Sequence, residues 1–268
     1  DVVRKREDGY HDLEMVMAPI SLHDLIYIDI IDEGIIIESN NARMPTDERN
    51  IMYKVAKRLI DDYNIDAGVK IFIYKHIPTQ AGLAGGSADG AAVLRAMNKL
   101  FHLNLSLEKL AEIGKEIGAD IPFCIFEQMA LVRGIGEQLD FIEHDFDCPI
   151  LLVKPKRGVA TQKSFGMLNL ATAIHPDINA MVKAVEENNY DGVVENLGNT
   201  LEAPSLIMVP EIQKIKDGLI ELGFDGALMS GSGSTVFALT KDDDLFEKGY
   251  NHFKEKGFFV RKTRIYKN

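Results

Sequence analysis

The spacing of hydrophobic residues alternates between periods of 2 and 3.6 along the first half of the chain. Residues 69–75 alternate and are rich in β-branched and aromatic side chains, which predicts a strand. Residues 88–101 follow with apolar side chains at helical spacing, and Asn50 precedes an earlier helical pattern as its predicted N-cap. The same patterns predict helices over 51–63 and 107–117, and strands over 14–19, 25–30, 34–39, 121–126 and 129–133, the last two pairing with each other.

The second half opens with the apolar run 149–154, which a proline bounds on each side and which predicts a buried strand. This half is typical of an antiparallel sheet with helices on one face, as in a ferredoxin-like domain. The fold class is therefore predicted to be α+β, with one domain over residues 1–148 and a second over 149–268. In the second domain we predict helices over 176–188, 193–197, 210–222 and 244–256, and strands over 227–230, 235–239 and 258–266.

The amino-acid composition limits the kinds of molecule that the protein is expected to bind. The formal net charge of −11 argues against non-specific nucleic-acid binding, because that binding needs a basic face. Cys124 and Cys148 form neither a disulfide framework nor a metal-binding spacing, which favours a reducing cytoplasm. No apolar run in the sequence approaches the ~20 residues that a membrane helix needs. We therefore expect a cytoplasmic protein that binds a small molecule and neither nucleic acid nor membrane, with its oligomeric state left open.

A glycine-rich loop between the strand 69–75 and the helix that follows carries the clearest chemical signal. Gly82, Gly85 and Gly86 lie in residues 78–87, which read Pro-Thr-Gln-Ala-Gly-Leu-Ala-Gly-Gly-Ser. Glycines let the backbone turn its N–H groups toward an anion, and the helix start adds unpaired N–H groups. Neither a Walker loop nor a dinucleotide fingerprint has this spacing. The loop predicts a phosphate site, and its alternative is a tight strand-to-helix connection.

Further segments extend the pattern around this loop; they are residues 6–14, 118–123, 133–137 and 229–238. In this order and at this separation they resemble the GHMP small-molecule kinases, and among them the 4-diphosphocytidyl-2-C-methyl-D-erythritol kinases. The discriminating piece is the tetrapeptide Asp8-Gly-Tyr-His, which mevalonate, homoserine and galactose kinases lack. Ala84 and Ala88 stand where many members carry Gly and Ser. The resemblance covers essentially the whole chain and implies a two-domain GHMP-kinase fold whose N-terminal domain binds ATP.

The resemblance implies phosphorylation of the 2-hydroxyl of 4-diphosphocytidyl-2-C-methyl-D-erythritol in the non-mevalonate isoprenoid pathway, with ATP and Mg²⁺ and no covalent enzyme intermediate. It assigns Asp120 as the base that takes the alcohol's proton, although such an Asp alone is more often a turn former. Asn50 and Asp89 match positions that approach the nucleoside, and both are also good helix caps. Ser87 is expected to contact a phosphate or a metal-bound water, or to cap the helix. The residues expected at ATP are Pro78, Gly82, Leu83, Ala84, Gly85, Gly86, Ser87, Asp89 and Asn50.

A second set of residues is expected, by the same resemblance, to recognise the cytidine half. Tyr10 and Phe165 would stack on the cytosine, and the ring and backbone of His11 would hydrogen-bond its edge. Lys75 would meet the substrate diphosphate, its alternative being a solvated strand end. The loop 231–234 would close over the phosphates and the alcohol, or form a plain β-turn. The expected substrate-binding residues are Tyr10, His11, Lys75, Thr161, Phe165, Gly231 and Ser232.

Two rival functions remain open from the sequence. One is a GHMP kinase for a simpler alcohol of the mevalonate or homoserine type. The other is a ligand-binding homologue that keeps the pocket without turnover. The alcohol that is phosphorylated, if any, distinguishes the three possibilities.

The start of the chain departs from the family pattern. Members begin with a strand carrying an Ala-Lys-Ile/Leu-Asn motif, whose lysine sits beside the catalytic aspartate. This chain starts at Asp1, seven residues before Asp8, and Lys5 lies in a predicted turn that does not match that lysine. We therefore expect the natural protein to extend N-terminally by one strand, and the chain as given to lose most activity and some stability.

Overall fold

The computed structural model of the protein describes residues 1–267. Contacts divide these residues into two compact units, each assembled from separate stretches of the chain. The smaller unit comprises His23–Pro78 and Ala84–Glu127, and the larger unit comprises Asp1–Leu22, Thr79–Leu83 and the chain from Gln128 onward. These units follow contacts rather than chain order, and a domain boundary between residues 148 and 149 remains a prediction.

Side-chain caps begin some of the helices in the first half of the chain. The Asn50 side chain accepts a hydrogen bond from the N–H of Met52, and Asn64 ends the same helix in the left-handed conformation. The Ser106 hydroxyl accepts from the N–H of Lys109. In chain order the elements are β1 (Val2–Lys5), β2 (His11–Met17), β3 (Leu25–Ile31), β4 (Ile35–Ser39), α1 (Ile51–Tyr63), β5 (Gly68–Tyr74), α2 (Gly85–Leu100), α3 (Leu107–Lys115) and α4 (Ile121–Phe126).

Caps of the same kind begin or end some of the helices in the second half. Asp177 and Asp242 cap helices by accepting from backbone N–H groups three residues on, and Gly223 ends a helix with a φ of +110°. Within residues 1–267, no helix is both long enough and apolar enough to cross a membrane. The elements continue as β6 (Ala130–Gly134), β7 (Gln138–Phe141), β8 (Pro149–Lys154), α5 (Thr161–Met167), α6 (Ile178–Glu186), α7 (Tyr190–Glu195), α8 (Glu202–Met208), α9 (Glu211–Leu222), β9 (Gly226–Met229), β10 (Val236–Leu239), α10 (Asp243–Glu255) and β11 (Phe259–Arg264).

The smaller unit is a sheet with helices packed around its buried side chains. The strand order is β3-β5-β4, with β3 antiparallel and β4 parallel to β5. Alternate residues Val69, Ile71 and Ile73 of β5 are fully buried and share one core with α1 and α2. Helix α4 packs against α2 and α3. This core fixes the end of β5 and the start of α2, where the predicted phosphate site begins.

The larger unit contains antiparallel sheets with the strand orders β1-β2-β6-β7 and β11-β8-β10-β9. Helices α9 and α10 pack against strands of the second sheet. The buried residues Leu151 and Val153 of β8 join the core beneath these helices. This arrangement confirms the predicted α+β class and its antiparallel C-terminal sheet.

Some predicted elements are wrong. Residues 121–126 form helix α4 rather than a strand, with Pro122 near its N-terminus, where a missing N–H costs little. Its apolar side chains are buried against other helices, so the run is apolar without being a strand. Strand β6 accordingly pairs with β2 and β7. Lys5, predicted in a turn, ends strand β1, which pairs with β2. Strand β7 and helices α5 and α8 were not predicted, because segments this short have no resolvable period.

Both cysteines carry free thiols. Cys148 is buried, and burial together with the charge of Asp147 raises its pKa to about 12. Burial also raises the pKa of the Cys124 thiol in α4, and the charge of Asp120 adds to that rise. Both thiols are therefore protonated and poorly nucleophilic near neutral pH.

Candidate active site

Helix α2 begins at a turn that provides no side-chain cap for its first N–H groups. Gly82 has a φ of +70°, and Ala84, at the N-cap position, has a φ of +48°. Ala84 has no polar side chain to cap the helix, and the first turn that follows is Gly, Gly, Ser and Ala. The first N–H groups of a helix have no partner inside it, and the helix dipole adds partial positive charge there. The turn therefore suits an anionic group such as a phosphate. Residues 82–87 are called the phosphate turn below.

Close packing explains why glycine occupies two positions of this turn. A Cβ on Gly85 would lie 2.8 Å from Cγ2 of Ile77, and a Cβ on Gly82 would lie 2.0 Å from the carbonyl oxygen of Ser230. Gly86 differs, since its exposed backbone leaves ordinary room for a Cβ. Gly82 thus permits close approach of the Ser230 backbone and Gly85 that of the Ile77 side chain, whereas Gly86 is exposed.

Ser87 and the segment leading to Asp120 come together in the smaller unit. Ser87 is the third residue of α2, so its alternative role as a helix cap is wrong. Its Oγ lies 3.9 Å from the position of a Cβ on Gly118. Asp120 stands at the N-cap position of α4, yet its carboxylate makes no capping hydrogen bond there. A hydroxyl of the phosphate turn and a carboxylate not used as a cap therefore lie on neighbouring segments.

Burial sets the electrostatics of Asp120. The residue is half-buried beside the fully buried Ile121, and burial raises the pKa of its carboxyl above the ordinary 3.8. Its carbonyl oxygen accepts a hydrogen bond of 3.2 Å from the N–H of Cys124. A carboxylate with a raised pKa accepts a proton more readily than an ordinary aspartate near neutral pH. These properties suit Asp120 to general-base work.

Lys75 lies between two buried carboxylates. Its Nζ is 2.5 Å from Oδ2 of Asp24 and 2.7 Å from Oδ2 of Asp89, and the Lys75 side chain is 6% exposed. The alternative of a solvated strand end is therefore wrong. Asp89 is the fifth residue of α2 and not a cap. Burial raises its pKa to about 7; the ion pair with Lys75 opposes this rise and the charge of Asp24 adds to it.

The Asn50 side chain supports the fold. Its Oδ1 accepts from the N–H of Met52 at 2.9 Å, and its Nδ2 donates to the carbonyl of Pro45 at 2.6 Å. The predicted cap is thus confirmed. A contact with the nucleoside remains a prediction.

In the larger unit, the loop after β9 holds the first part of the glycine loop. The Ser230 hydroxyl donates to the carbonyl of Gly82 at 2.7 Å, and the N–H of Thr235 donates to the carbonyl of Ala81 at 3.1 Å. The N–H of Gly233 donates to the carbonyl of Ser230 at 2.9 Å, which closes a β-turn. The expected turn is therefore present, and the same loop binds the carbonyls of Ala81 and Gly82.

Hydroxyl and amide groups join this turn to α5, to α8 and to the loop before α8. Oγ1 of Thr161, at the start of α5, lies 2.8 Å from Oγ of Ser232. The Ser205 hydroxyl of α8 donates to the carbonyl of Ser232 at 3.0 Å, and Nδ2 of Asn199 donates to the carbonyl of Gly231 at 2.8 Å. The structure thus brings together three of the expected substrate residues, Thr161, Gly231 and Ser232.

His11 and Phe165 form a ring pair in the same unit. Their centroids are 5.1 Å apart and their planes are inclined by 32°. Burial, with a smaller effect from Lys5, lowers the pKa of His11, so its imidazole is neutral near neutral pH. Tyr10 is 62% exposed, and its N–H donates to the Asp8 carboxylate at 3.0 Å. The predicted stacking of Tyr10 and Phe165 on a base remains a prediction.

Sequence reasoning missed two polar residues beside these groups, Asp24 and Ser205. Asp24 shows only as an acidic residue directly before a predicted strand, and its partner Lys75 is 51 residues away. Ser205 lies in the unpredicted helix α8 and is fully buried. A polar residue inside an otherwise apolar segment is the signal that could have indicated Ser205.

Comparison with known families defines the class of the protein. The pattern of the GHMP kinases N terminal domain matches residues 50–128, and that of the GHMP kinases C terminal domain matches residues 181–257. Together with the fold, these matches define a small-molecule kinase of the GHMP type, for which ATP is the phosphate donor.

Curated relatives narrow the family. A 4-diphosphocytidyl-2-C-methyl-D-erythritol kinase of Exiguobacterium sibiricum is 45% identical over 94% of this chain and 88% of the relative, and one of Bacillus subtilis is 44% identical over 94% and 87%. A crystal structure of 4-(cytidine 5'-diphospho)-2C-methyl-D-erythritol kinase, 28% identical, matches with a TM-score of 0.82 over 99% of this chain and 95% of that chain. The chain belongs to the GHMP kinases, in the family of the 4-diphosphocytidyl-2-C-methyl-D-erythritol kinases. The resemblance predicted from the sequence is thereby confirmed.

Proposed function

We propose that the protein transfers the γ-phosphoryl group of ATP to the 2-hydroxyl of 4-diphosphocytidyl-2-C-methyl-D-erythritol. The observation that carries this proposal is the start of α2, where N–H groups without a side-chain cap and the Ser87 hydroxyl adjoin the segment leading to Asp120. Phosphoryl transfer needs donors that hold the phosphates and a group that receives the alcohol's proton. The choice of alcohol is supported by the names of the relatives at 44–45% identity.

Asp120 is the base in this proposal. The substrate oxygen attacks the γ-phosphorus in line, the bond from that phosphorus to the β,γ-bridging oxygen breaks, and ADP leaves. Asp120 takes the proton of the hydroxyl as the new O–P bond forms. The reaction balances without a covalent enzyme intermediate.

The phosphate turn also fits a Mg²⁺–ATP complex, because the Ser87 hydroxyl is an oxygen donor of the type that Mg²⁺ accepts beside phosphates. Ser87 would contact the ion directly or through a metal-bound water. When bound, Mg²⁺ neutralises phosphate charge. The N–H groups of Gly85 and Gly86 would hold phosphate oxygens, with Pro78, Leu83 and Ala84 shaping the loop.

Recognition of the cytidine half is assigned to the larger unit. The neutral His11 ring can donate at one nitrogen and accept at the other, which suits the mixed edge of cytosine. Tyr10 and Phe165 supply stacking surface, and Thr161, Gly231 and Ser232 contact the rest of the substrate. In the smaller unit, Lys75 would meet a diphosphate group, and Asp89 and Asn50 would approach the nucleoside of ATP.

A cytoplasmic location is part of the proposal. It is supported by the free thiols of Cys124 and Cys148, which are typical of a reducing compartment. The net charge of −11 supports a small-molecule partner rather than non-specific binding of nucleic acid.

Product analysis tests the proposed function. The purified protein is incubated with ATP and Mg²⁺ and with the cytidylylated methylerythritol, free methylerythritol, mevalonate, homoserine or no acceptor. We expect ADP and a monophosphorylated product with the cytidylylated compound, and chelation of Mg²⁺ should abolish the reaction. Product with mevalonate or homoserine instead would establish the simpler-alcohol rival. Tight binding of the cytidylylated compound without any ADP would establish the ligand-binding rival.

A further inference from the structure

Asp24 makes an unusual set of hydrogen bonds at the start of β3. Its Oδ1 accepts from the N–H groups of His76 at 2.5 Å and of Ile77 at 2.9 Å. Its Oδ2 accepts from Nζ of Lys75 at 2.5 Å. The Asp24 side chain is 3% exposed. One buried carboxylate thus fixes three consecutive residues just beyond the end of β5.

Sheet register explains how Asp24 reaches this position. Leu25 of β3 pairs with Tyr74 of β5 as the first pair of their antiparallel ladder. Asp24 precedes that pair and Lys75 follows it, so the two side chains lie side by side at the end of the ladder. The contact depends on strand pairing over a separation of 51 residues.

The Lys75 ammonium lies at the start of α2. Its Nζ is 3.6 Å from the position of a Cβ on Gly85, the first residue of that helix. An ammonium has three N–H donors, and the hydrogen bonds of the described residues assign one to Asp24 and one to Asp89. One donor remains for a ligand of the phosphate turn.

Stability alone does not account for this cluster. Three buried ionisable groups lose hydration, and buried ion pairs are often no more stabilising than apolar residues of similar size. With both carboxylates ionised the cluster carries a net charge of −1, which opposes a phosphate. Burial raises the pKa of Asp89, so that proton uptake there makes the cluster neutral. The benefit of the arrangement is a fixed position for the ammonium.

We propose that Asp24 is a positioning residue that holds the Lys75 ammonium against the first turn of α2, where it binds a diphosphate group. This inference rests on the proposed function. The diphosphate belongs either to the nucleotide or to the cytidylylated substrate. Asp24 acts through Lys75 and touches neither ligand.

The test separates the two roles of the Asp24 carboxylate. Asp24→Asn retains an oxygen for the N–H groups of His76 and Ile77 but turns an amide donor toward Lys75. Asp24→Ala removes both sets of bonds. Lys75→Met and the double variant Asp24→Asn/Lys75→Met complete a double-mutant cycle. The control is Asp61→Asn, which breaks the exposed Lys57–Asp61 pair of α1.

Steady-state kinetics give KM for ATP, KM for the cytidylylated substrate and kcat, and calorimetry gives the Kd of ADP and of CDP. We expect Asp24→Asn to raise KM for one of the two ligands by roughly 10-fold to 100-fold, the range for a lost charge-assisted hydrogen bond, with a smaller change in kcat. Lys75→Met should raise KM for the same ligand, and the double variant should be no worse than Lys75→Met alone. The ligand affected identifies the source of the diphosphate.

Several results would overturn the proposal. Wild-type KM values in Asp24→Asn, together with impaired activity in Asp24→Ala, would mean that Asp24 only holds the backbone. This comparison does not depend on whether a Lys75 variant folds. Additive effects of Asp24→Asn and Lys75→Met would mean that Asp24 acts independently of Lys75. Failure of the proposed function is recognised separately, because the wild-type protein would then not phosphorylate the cytidylylated compound, while the binding cycle still reports on Asp24.

Discussion

The ring of Phe165 lies 5.1 Å from the ring of His11, so the helix α5 and the first residue of β2 share one aromatic contact. The sequence led us to expect a stack of Phe165 and Tyr10 around a base. In the structure, Phe165 has His11 as its ring neighbour, and Tyr10 is exposed at the preceding turn. The half-buried Phe165 thus packs against the ring that we propose to bind the cytosine edge.

Phe165→Ala should weaken binding of the cytidylylated substrate by roughly 1–3 kcal/mol, the usual loss for a removed stacking partner. Tyr10→Ala should have an effect in the same range if the exposed ring stacks on the base. Isothermal titration with CDP measures both, and the affinity for ATP should change less. Unchanged CDP affinity in both variants would remove the cytosine assignment from this part of the larger unit.

Asp120→Asn should lower kcat by roughly two to four orders of magnitude, as expected for loss of a general base. The affinity for ATP should stay close to wild type, since the phosphate turn of α2 is not altered. Single-turnover assays and nucleotide titration measure the two quantities. Near wild-type turnover in Asp120→Asn would show that another group receives the proton.

The pH dependence of kcat/KM should reflect the raised pKa of Asp120. Below that pKa the carboxyl is protonated and cannot accept the alcohol's proton, so activity should fall as the pH decreases. Because burial raises the pKa, the fall should begin at a higher pH than for an aspartate with the ordinary pKa of 3.8. Rate profiles between about pH 4 and pH 9 check this, and Asp120→Asn should lack the acidic limb.

Gly82→Ala should reduce both stability and activity. Its Cβ would lie 2.0 Å from the Ser230 carbonyl oxygen at a φ of +70°, so the loops must separate at a cost of roughly 1–3 kcal/mol. Gly223→Ala is the matched control, since its φ is +110° but its Cβ would make only ordinary contacts with Leu245. Urea unfolding and kcat/KM should show a stability loss in both variants and an activity loss in Gly82→Ala. Equal activity in the two variants would contradict the close-approach argument.

Asp89→Asn should change how stability depends on pH. The pKa of Asp89 is about 7 in the folded protein against an ordinary 3.8, so between these values the folded state binds a proton that the unfolded state does not. The wild-type free energy of unfolding therefore falls as pH rises through this window, by at most about 1.4 kcal/mol per unit from this group. The variant lacks this contribution, so its stability relative to wild type should increase from about pH 5 to about pH 7. Parallel unfolding curves across that range would show that Asp89 does not titrate there.

The sequence predicted the elements with a clear period and missed those without one. Helix α1 was predicted from the Asn50 cap and from apolar residues at helical spacing over 13 residues. Strand β8 was predicted from an apolar run between prolines. Helix α4 was predicted as a strand, because six mostly apolar residues show no period. Pro122 near its N-terminus was the local signal that favoured a helix.

The candidate site shows the same limit. The phosphate turn could be predicted because its glycines and Ser87 lie within one short stretch of the sequence. The setting of Lys75 could not, because Asp24 and Asp89 reach it through strand pairing and helix packing. Distances in sequence do not reveal such contacts. Asp24 can be identified as the partner of Lys75 only when the register of β3 on β5 is known.

The two free thiols provide the protein with built-in reporters of local opening. Cys124 belongs to the smaller unit and Cys148 to the larger one, and burial suppresses ionisation of both. An alkylating reagent reacts with a thiolate, so labelling of either cysteine requires a fluctuation that admits water. The labelling rate of Cys124 would then follow the opening of α4 next to Asp120, while that of Cys148 would follow the other unit. Mass-resolved alkylation with and without ATP would measure whether nucleotide binding slows these fluctuations around Asp120 alone.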